Sequence, residues 1–153
     1  MSAEQNPKNL EAKNQHPRRQ APEESGLRDD QRFDVVLVDR LTLPFFIGVH
    51  EMEKFRPQNV EISLRLFVDR RVRLGGDYAS YADVADHAIE LSRSGAHIRL
   101  VENLASELAA KALEDPRVDR VEATVLKKDI YPQAAGVGVR IVETRAERRG
   151  DGA

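Results

Sequence analysis

Residues 59–68 read Asn-Val-Glu-Ile-Ser-Leu-Arg-Leu-Phe-Val, and this stretch decides the fold class of the chain. Apolar and polar side chains alternate along it, which is typical of a strand with one buried face and one wet face. The predicted buried face carries five aliphatic side chains, namely Val60, Ile62, Leu64, Leu66 and Val68. No proline interrupts the stretch, so we expect it to pair at a sheet edge and to join subunits there.

Two helices are predicted after this strand. Apolar residues recur at helical spacing from Tyr81 onward, and again from Val101 onward. Ser80 is the expected cap of the first helix, which should end near Gly95. Pro116 stops the second helix, because proline cannot continue the hydrogen-bond ladder.

Three further apolar runs predict strands, at residues 35–38, 121–125 and 137–142. The order strand, strand, helix, helix, strand, strand favours an α+β fold, in which a four-stranded antiparallel sheet carries both helices on one face. We place this domain at residues 32–146. Residues 1–31 contain three prolines, few large aliphatic residues and no aromatic residue, so we predict a disordered extension there and a disordered tail at residues 147–153.

The composition argues against several classes of function. Positive and negative residues nearly cancel to a formal net charge of -2, which is unlike a dedicated nucleic-acid binder. The chain has no cysteine, so it has no disulfide, no thiolate nucleophile and no zinc site built on sulfur. It has no apolar run long enough for a membrane span and no secretory segment, so we expect a cytoplasmic protein that does not bind membranes.

The polar side chains that point to chemistry lie at element ends or in loops. Glu102 begins the second helix, Tyr81 begins the first, Lys127 ends the third strand, and Glu53 lies between the first two strands. Each has an ordinary explanation by itself: a first-turn acid favoured by the helix dipole, a solvated charge, or a core ring with its hydroxyl outside. Their joint occurrence is the stronger observation.

Four motifs occur in a fixed order around these residues. They are Ile47-Gly48-Val49 followed by Glu53; Ser80-Tyr81-Ala82-Asp83-Val84; Arg99-Leu100-Val101-Glu102-Asn103-Leu104-Ala105; and Val125-Leu126-Lys127 leading to Ala135-Gly136-Val137-Gly138-Val139. In these motifs, residues 33–145 resemble the dihydroneopterin aldolases of folate biosynthesis, which have the tunnelling fold. The resemblance implies a homo-oligomer, a barrel of four subunits or two stacked rings of four, with active sites between neighbouring subunits.

The resemblance also implies the reaction, a retro-aldol cleavage of the side chain of 7,8-dihydroneopterin. Electrons from the broken carbon–carbon bond flow into the imine of the pterin ring, so the reaction requires neither a Schiff-base lysine nor a metal, and we expect no cofactor. Glu102 is the predicted pterin ligand, because a carboxylate matches the adjacent ring N–H and amine as a two-pronged acceptor. The backbone around Leu100 and Val101 is expected to add contacts to the same ring.

The resemblance implies catalytic roles for three further residues. Lys127 would stabilise charge or relay a proton at a nitrogen of the pterin ring. Tyr81, contributed across a subunit interface, would exchange a proton with the hydroxyl groups of the substrate side chain or with a water. Glu53 would orient Lys127 or that water. Neighbouring Lys128 should point to the opposite face of the strand and is interpreted as solvated. Many relatives have proline directly after the lysine, whereas this chain has Lys128, so the resemblance does not predict the conformation of the loop at residues 128–135.

Two alternatives stay open at this point. An epimerase acting on dihydroneopterin or its triphosphate passes through the same retro-aldol intermediate, and a triphosphate enzyme should show a basic cluster at the pocket mouth, for which Arg56, Arg93 and Arg99 are candidates. A ring-forming scaffold without catalysis is the second alternative. The presence of all four polar residues argues against it, because a scaffold needs only the apolar stripes and the strand edges.

The histidines give no metal site in the sequence. His50, His87 and His97 have no paired spacing on one element, so we expect no metal, whereas the related cyclohydrolases of this fold require one. His50 is left as a residue that could touch substrate from its loop.

Overall fold

The computed structural model of the chain describes residues 28–145. The predicted disordered extension, except its last four residues, and the predicted disordered tail lie outside this range. The elements in chain order are α1 (Asp29–Arg32), β1 (Phe33–Phe45), a 3-10 turn (Glu51–Lys54), β2 (Gln58–Asp69), α2 (Arg70–Leu74), α3 (Ala82–Ser94), α4 (Val101–Ala112), β3 (Val118–Lys127) and β4 (Val137–Thr144).

The four strands form one antiparallel sheet in the order β1-β2-β3-β4. The predicted buried face of residues 59–68 is confirmed, because its five aliphatic side chains are at most 4% exposed. Four of the five lie opposite apolar residues of β3 in the register, Ile62 opposite Val125 and Leu64 opposite Ala123 for example, whereas Val60 lies opposite Lys127. The period of two therefore assigns one whole face of the sheet to the core.

Both long helices cover this apolar face, which confirms the predicted fold class. α4 packs on β3 and β4, and α3 packs on β1 and α4. Leu104, Ala105, Leu108 and Ala109 are fully buried, as expected of a helix whose apolar stripe recurs every three or four residues. No helix among the described residues is long and apolar enough to cross a membrane.

The ends of α3 follow the predicted signals. The Ser80 hydroxyl accepts the N–H of Ala82 at 3.0 Å, which satisfies one of the free donors of the first turn. The helix ends at Gly95, whose φ of +69° is a left-handed conformation that glycine adopts without the penalty of a Cβ atom.

The expectation that residues 59–68 pair at a sheet edge is wrong. β2 is hydrogen-bonded to β1 on one side and to β3 on the other, so it has no free backbone to offer a second chain. The first predicted strand is also much longer than residues 35–38, because pairing with β2 extends it through a bulge after Val38 where Arg40 adopts a φ of +57°. Within the described sheet, the outer strands are therefore β1 and β4.

The other face of the sheet carries charged side chains. On three adjacent strands, Arg65 and Arg140 contact the Glu122 carboxylate at 3.4 and 2.6 Å. Lys128 lies on this face as predicted, but it is not a solvated side chain. Its ammonium group is 2.9 Å from the carboxylate of Glu61, a residue of β2 that is only 8% exposed.

Candidate active site

A short backbone connection brings two distant parts of the chain together. Ile47, which follows β1, forms a parallel bridge with Ile98, which precedes α4. The N–H of Ile98 donates to the carbonyl of Phe46 at 2.8 Å, and the N–H of Gly48 donates to the carbonyl of Ile98 at 3.0 Å. The loop that carries Glu53 is thereby fixed beside the start of α4.

A cavity of about 300 Å³ opens between this loop, the start of α4 and the end of β3. Five of the six predicted site residues line it, namely Glu53, Leu100, Val101, Glu102 and Lys127. Val49, Ile130 and Val137 add apolar surface to its walls. A mostly apolar slot with a few convergent charged groups is the usual form of a small-molecule site.

Lys127 is placed at the cavity by the alternation of β3. Val121, Ala123 and Val125 point into the core, so Lys127, two residues further, is on the same side of the sheet at the open end of the core. Its ammonium group lies 2.8 Å from Oε1 of Glu53, and both side chains are only about 15% exposed. The pair is therefore largely desolvated on one side and open to the cavity on the other.

The Glu53 carboxylate accepts hydrogen bonds from three sources. Lys127 donates to Oε1, the side-chain amide of Gln58 donates to Oε1 at 3.2 Å, and the backbone N–H of His50 donates to Oε2 at 3.0 Å. These donors, led by the Lys127 ammonium, hold the pKa of the Glu53 carboxyl at about 2, below its ordinary value of 4.5. Glu53 is therefore an anion at neutral pH.

The sequence contains no sign that Gln58 and His97 support the loop of Glu53, and it marks Gly48 only as part of a motif. Gln58 also donates to the carbonyl of Ile47 at 2.6 Å, and His97 donates from Nε2 to the carbonyl of Gly48 at 2.8 Å. Gly48 has a φ of +134°, and a Cβ atom there would lie 1.8 Å from Oε2 of Glu53. The motif Ile47-Gly48-Val49 marks the glycine, but no local pattern marks Gln58 or His97.

Glu102 lies in the first turn of α4 and is exposed on the cavity side. The start of a helix is a favourable place for a carboxylate, because the dipoles of the peptide groups direct their positive ends towards it. Leu100 precedes the helix in extended conformation and brings its backbone to the same cavity. This arrangement presents an acceptor with two oxygens beside apolar walls.

Tyr81 does not line this cavity in the single chain. It is the N-cap residue of α3, is 59% exposed, and lies beside a second cavity that is bordered by Ser80 at the start of α3 and by Ala112 at the end of α4. Since α4 has 12 residues and spans about 18 Å, Tyr81 and Glu102 are at opposite ends of the helical layer.

The remaining predicted candidates differ in whether they line this cavity. Arg99 and His50 line the cavity, whereas Arg56 and Arg93 do not, so within residues 28–145 these candidates form no basic cluster at its mouth. Among residues 28–145, no group of three histidine or acidic side chains is arranged to hold a metal ion.

The sheet order, the helical layer on one face and the cavity at the open end of β3 define an α+β domain with a candidate small-molecule site at one end of its sheet. Residues 36–142 match the family model described as FolB, dihydroneopterin aldolase, and the chain belongs to this family. No curated protein sequence matches the chain.

Solved structures agree with this assignment. A putative dihydroneopterin aldolase (FolB) from Vibrio cholerae is 28% identical over 73% of this chain and 98% of its own, with a TM-score of 0.65. The Escherichia coli dihydroneopterin aldolase, solved in complex with neopterin, is 30% identical over 72% of this chain and 98% of its own, with a TM-score of 0.63. A Burkholderia dihydroneopterin aldolase bound to guanine, 23% identical with a TM-score of 0.61, shares the fold.

Proposed function

We propose that this protein is a metal-independent aldolase of folate biosynthesis that cleaves 7,8-dihydroneopterin into 6-hydroxymethyl-7,8-dihydropterin and glycolaldehyde in the cytoplasm. The observation that carries the proposal is the shared cavity, which places the Glu102 carboxylate and the Glu53–Lys127 pair around one apolar slot. Family membership and the neopterin bound by the Escherichia coli relative support a pterin as the ligand.

Glu102 would bind the edge of the pterin that carries adjacent N–H and amine donors. Its two oxygens accept both hydrogen bonds at once, and a charged acceptor makes each of them stronger. The extended backbone at Leu100 and the first residue of α4, Val101, would add contacts to the ring. A cavity of about 300 Å³ is at the small end of the range of ligand pockets, as expected for one bicyclic ring with a short side chain.

The cleavage needs proton transfer and positioning. A base takes the proton of the 2′-hydroxyl group, the bond between C1′ and C2′ breaks, and its electron pair enters the C6=N5 imine while glycolaldehyde leaves. The Lys127 ammonium would face N5, where the charge develops, and stabilise it or relay a proton to it. Protonation of the resulting enamine at C1′ gives the hydroxymethyl product, so the pterin ring itself serves as the electron acceptor.

Glu53 would act on the reaction through Lys127. As an anion in contact with the ammonium group at 2.8 Å, it fixes the direction of that group. The remaining Oε2 atom already accepts the N–H of His50, so the carboxylate cannot rotate without losing a hydrogen bond. Lys127 is thereby held in one orientation before substrate binds.

Tyr81 would reach the cavity from a neighbouring subunit. In a ring of four subunits, or in two stacked rings, the exposed start of α3 of one chain would lie against the open cavity of the next. Its hydroxyl would exchange a proton with the substrate side chain or with a water molecule. This arrangement accounts for a tyrosine that is exposed and remote from Lys127 within one chain.

The test is incubation of the purified protein with 7,8-dihydroneopterin, without added metal, followed by separation of the products. Release of glycolaldehyde with an equal amount of 6-hydroxymethyl-7,8-dihydropterin is the expected result. Formation of the isomeric pterin without glycolaldehyde would instead identify an epimerase, because the same intermediate can close again with inverted configuration. Failure to bind or convert the pterin would leave the ring-forming scaffold.

A further inference from the structure

His97 lies in the segment between α3 and α4 and has no part in the reaction described so far. Its Nε2 atom is 2.8 Å from the carbonyl oxygen of Gly48, 49 residues earlier in the chain. Because a carbonyl oxygen only accepts hydrogen bonds, Nε2 carries the proton and donates it. This is a side-chain contact between the segment that enters α4 and the loop that carries Glu53.

Gly48 is held on both of its peptide groups by the same segment. Its carbonyl accepts from His97, and its N–H donates to the carbonyl of Ile98 at 3.0 Å. These two bonds fix Gly48 in a conformation, with a φ of +134°, that residues other than glycine rarely adopt. A segment that is tied at both groups cannot move away from α4 without breaking at least one bond.

Gly48 in turn forms the wall against which the Glu53 carboxylate rests. The position that a Cβ atom of Gly48 would occupy is 1.8 Å from Oε2 and 2.0 Å from Cδ of Glu53. The carboxylate therefore fills the space left by the absent side chain, and a shift of Gly48 changes the space available to it. The Lys127 ammonium group contacts the same carboxylate from β3.

We infer that His97 is a positioning residue that fixes the Glu53 carboxylate against the Lys127 ammonium through the backbone of Gly48, an inference that rests on the proposed aldolase reaction. The hydrogen bond of His97 sets the place of Gly48, Gly48 limits the place of Glu53, and Glu53 directs Lys127. Glu102 is positioned by the first turn of α4. The hydrogen bond between His97 and Gly48 is therefore expected to affect the chemical step and to leave pterin binding by Glu102 unchanged.

Two substitutions of His97 distinguish the effect of its hydrogen bond from the effect of its aromatic ring. His97→Phe keeps a flat ring but removes the donor, whereas His97→Gln keeps an N–H donor of similar reach without the ring. His87→Phe is the matched control, because His87 contacts Glu107 at 3.3 Å between α3 and α4 and does not line the cavity. All three variants are compared with the wild-type protein in steady-state turnover of 7,8-dihydroneopterin and in thermal unfolding.

The expected result is a kcat for His97→Phe about tenfold below that of the wild type, the effect of one lost hydrogen bond, with KM changed by less than about twofold. His97→Gln should recover most of the lost kcat, and His87→Phe should match the wild type. Equal kcat in all variants would overturn the inference. Equal loss in His97→Phe and His97→Gln would also overturn it, because the donor would then not be what matters.

A second measurement does not depend on activity. The carboxyl carbon of Glu53, observed by carbon-13 NMR, should titrate at a higher pH in His97→Phe than in the wild type, because a displaced carboxylate loses donors that keep its pKa at about 2. Lys127 is the ammonium group that faces Glu53, and Glu102 is the other acid of the cavity. An unchanged titration would refute the inference, whereas a wild-type protein that does not turn over the pterin would refute only the proposed function.

Discussion

The contact between the Glu53 carboxylate and the Lys127 ammonium group compensates both side chains for their lost hydration. Each side chain is about 15% exposed, so both have lost most of their hydration, and their contact at 2.8 Å replaces it. Glu53 additionally accepts from the Gln58 amide and the His50 backbone. A partly buried ion pair with every oxygen occupied has one preferred geometry, which is the property that a proton-transfer step requires.

The first prediction concerns stability and pH. The pKa of Glu53 is about 2 in the folded protein and is ordinarily 4.5, so its contribution to folding is complete above about pH 4.5 and is lost as the pH falls towards 2. We expect the difference in free energy of unfolding between the wild type and Glu53→Gln to narrow within this window, as measured by denaturant unfolding.

The matched control for this prediction is Glu51→Gln, since Glu51 lies in the same turn with a side chain that is 80% exposed. This substitution removes one carboxylate from the same turn and leaves the contact between Glu53 and Lys127 in place. The pKa of Asp69 is also about 2, but Asp69 is present in all three proteins and cancels from the comparison. A difference that does not change between pH 5 and pH 2 for Glu53→Gln would contradict the prediction.

The second prediction separates binding from chemistry. Lys127→Ala should lower kcat on 7,8-dihydroneopterin by at least about a hundredfold while the dissociation constant of the product pterin changes little. Glu102→Ala should weaken pterin binding by about a hundredfold, because it removes a charged group that accepts two hydrogen bonds from the pterin. Steady-state kinetics and equilibrium binding of 6-hydroxymethyl-7,8-dihydropterin measure the two effects. Small, equal effects of both substitutions would show that the cavity is not the active site.

At the scale of elements, the site depends on how closely β4 approaches β3. Gly138 lies opposite Leu126, and a Cβ atom at Gly138 would be 1.9 Å from the carbonyl oxygen of Val125. No side chain of any size fits there without separating the strands. The same pairing holds Lys127 opposite Val137 at the edge of the cavity. The glycine therefore supports the sheet and the position of the lysine together.

The third prediction follows from this contact. Gly138→Ala should lower the free energy of unfolding by about 1–3 kcal/mol, the usual cost of forcing extra atoms into a packed region, and should lower kcat through displacement of Lys127. Chemical denaturation and turnover are measured on the same preparation. Val142→Ala on the same strand, where Val142 is 50% exposed, is the control and should have little effect. A stable and fully active Gly138→Ala protein would disprove the link between strand spacing and the site.

The elements themselves were largely predictable from local pattern. The alternation of residues 59–68 and the helical stripe from Val101 to Ala112 fix which side chains face the core, because each period repeats regardless of distant contacts. The full length of β1 was not predictable, since Leu41 and Leu43 extend the strand only by pairing with Ile62 and Val60. Non-local hydrogen bonds decide such boundaries.

At the scale of the whole molecule, the position of Tyr81 relative to the cavity and the outer strands of the sheet bear on assembly. The cavity is open, and Tyr81 is exposed at the far end of the helical layer. β1 and β4 are the outer strands of the described sheet. Unpaired strand edges are commonly covered by another chain, which agrees with the proposal that the protein is a homo-oligomer.

The fourth prediction tests whether active sites lie between subunits. Lys127→Ala and Tyr81→Phe should each be nearly inactive alone, yet oligomers reassembled from an equal mixture should regain activity. With random assembly, about a quarter of the sites would receive an intact lysine from one chain and an intact tyrosine from the next. Turnover after co-expression with two affinity tags and purification of the mixed oligomer measures this recovery.

The control for this experiment is a mixture of Lys127→Ala and Glu53→Gln. Both residues line the same cavity of one chain, so a mixed oligomer contains no site in which both are intact. We expect no recovery from this pair. Equal recovery in both mixtures, or none in either, would rule out a site completed by Tyr81 from a neighbouring chain.

The sequence by itself determined the order of strands and helices and the face that each presents to the core, because periods of two and of about 3.6 residues are local properties of the chain. Only the tertiary structure decided that β2 is central, that Lys128 pairs with Glu61, and that Lys127 meets Glu53 from 74 residues away. These outcomes depend on strand register and on loop conformation, which bring together residues with no regular spacing in sequence. For the same reason, His97 could be recognised as a partner of Gly48 only in the folded chain.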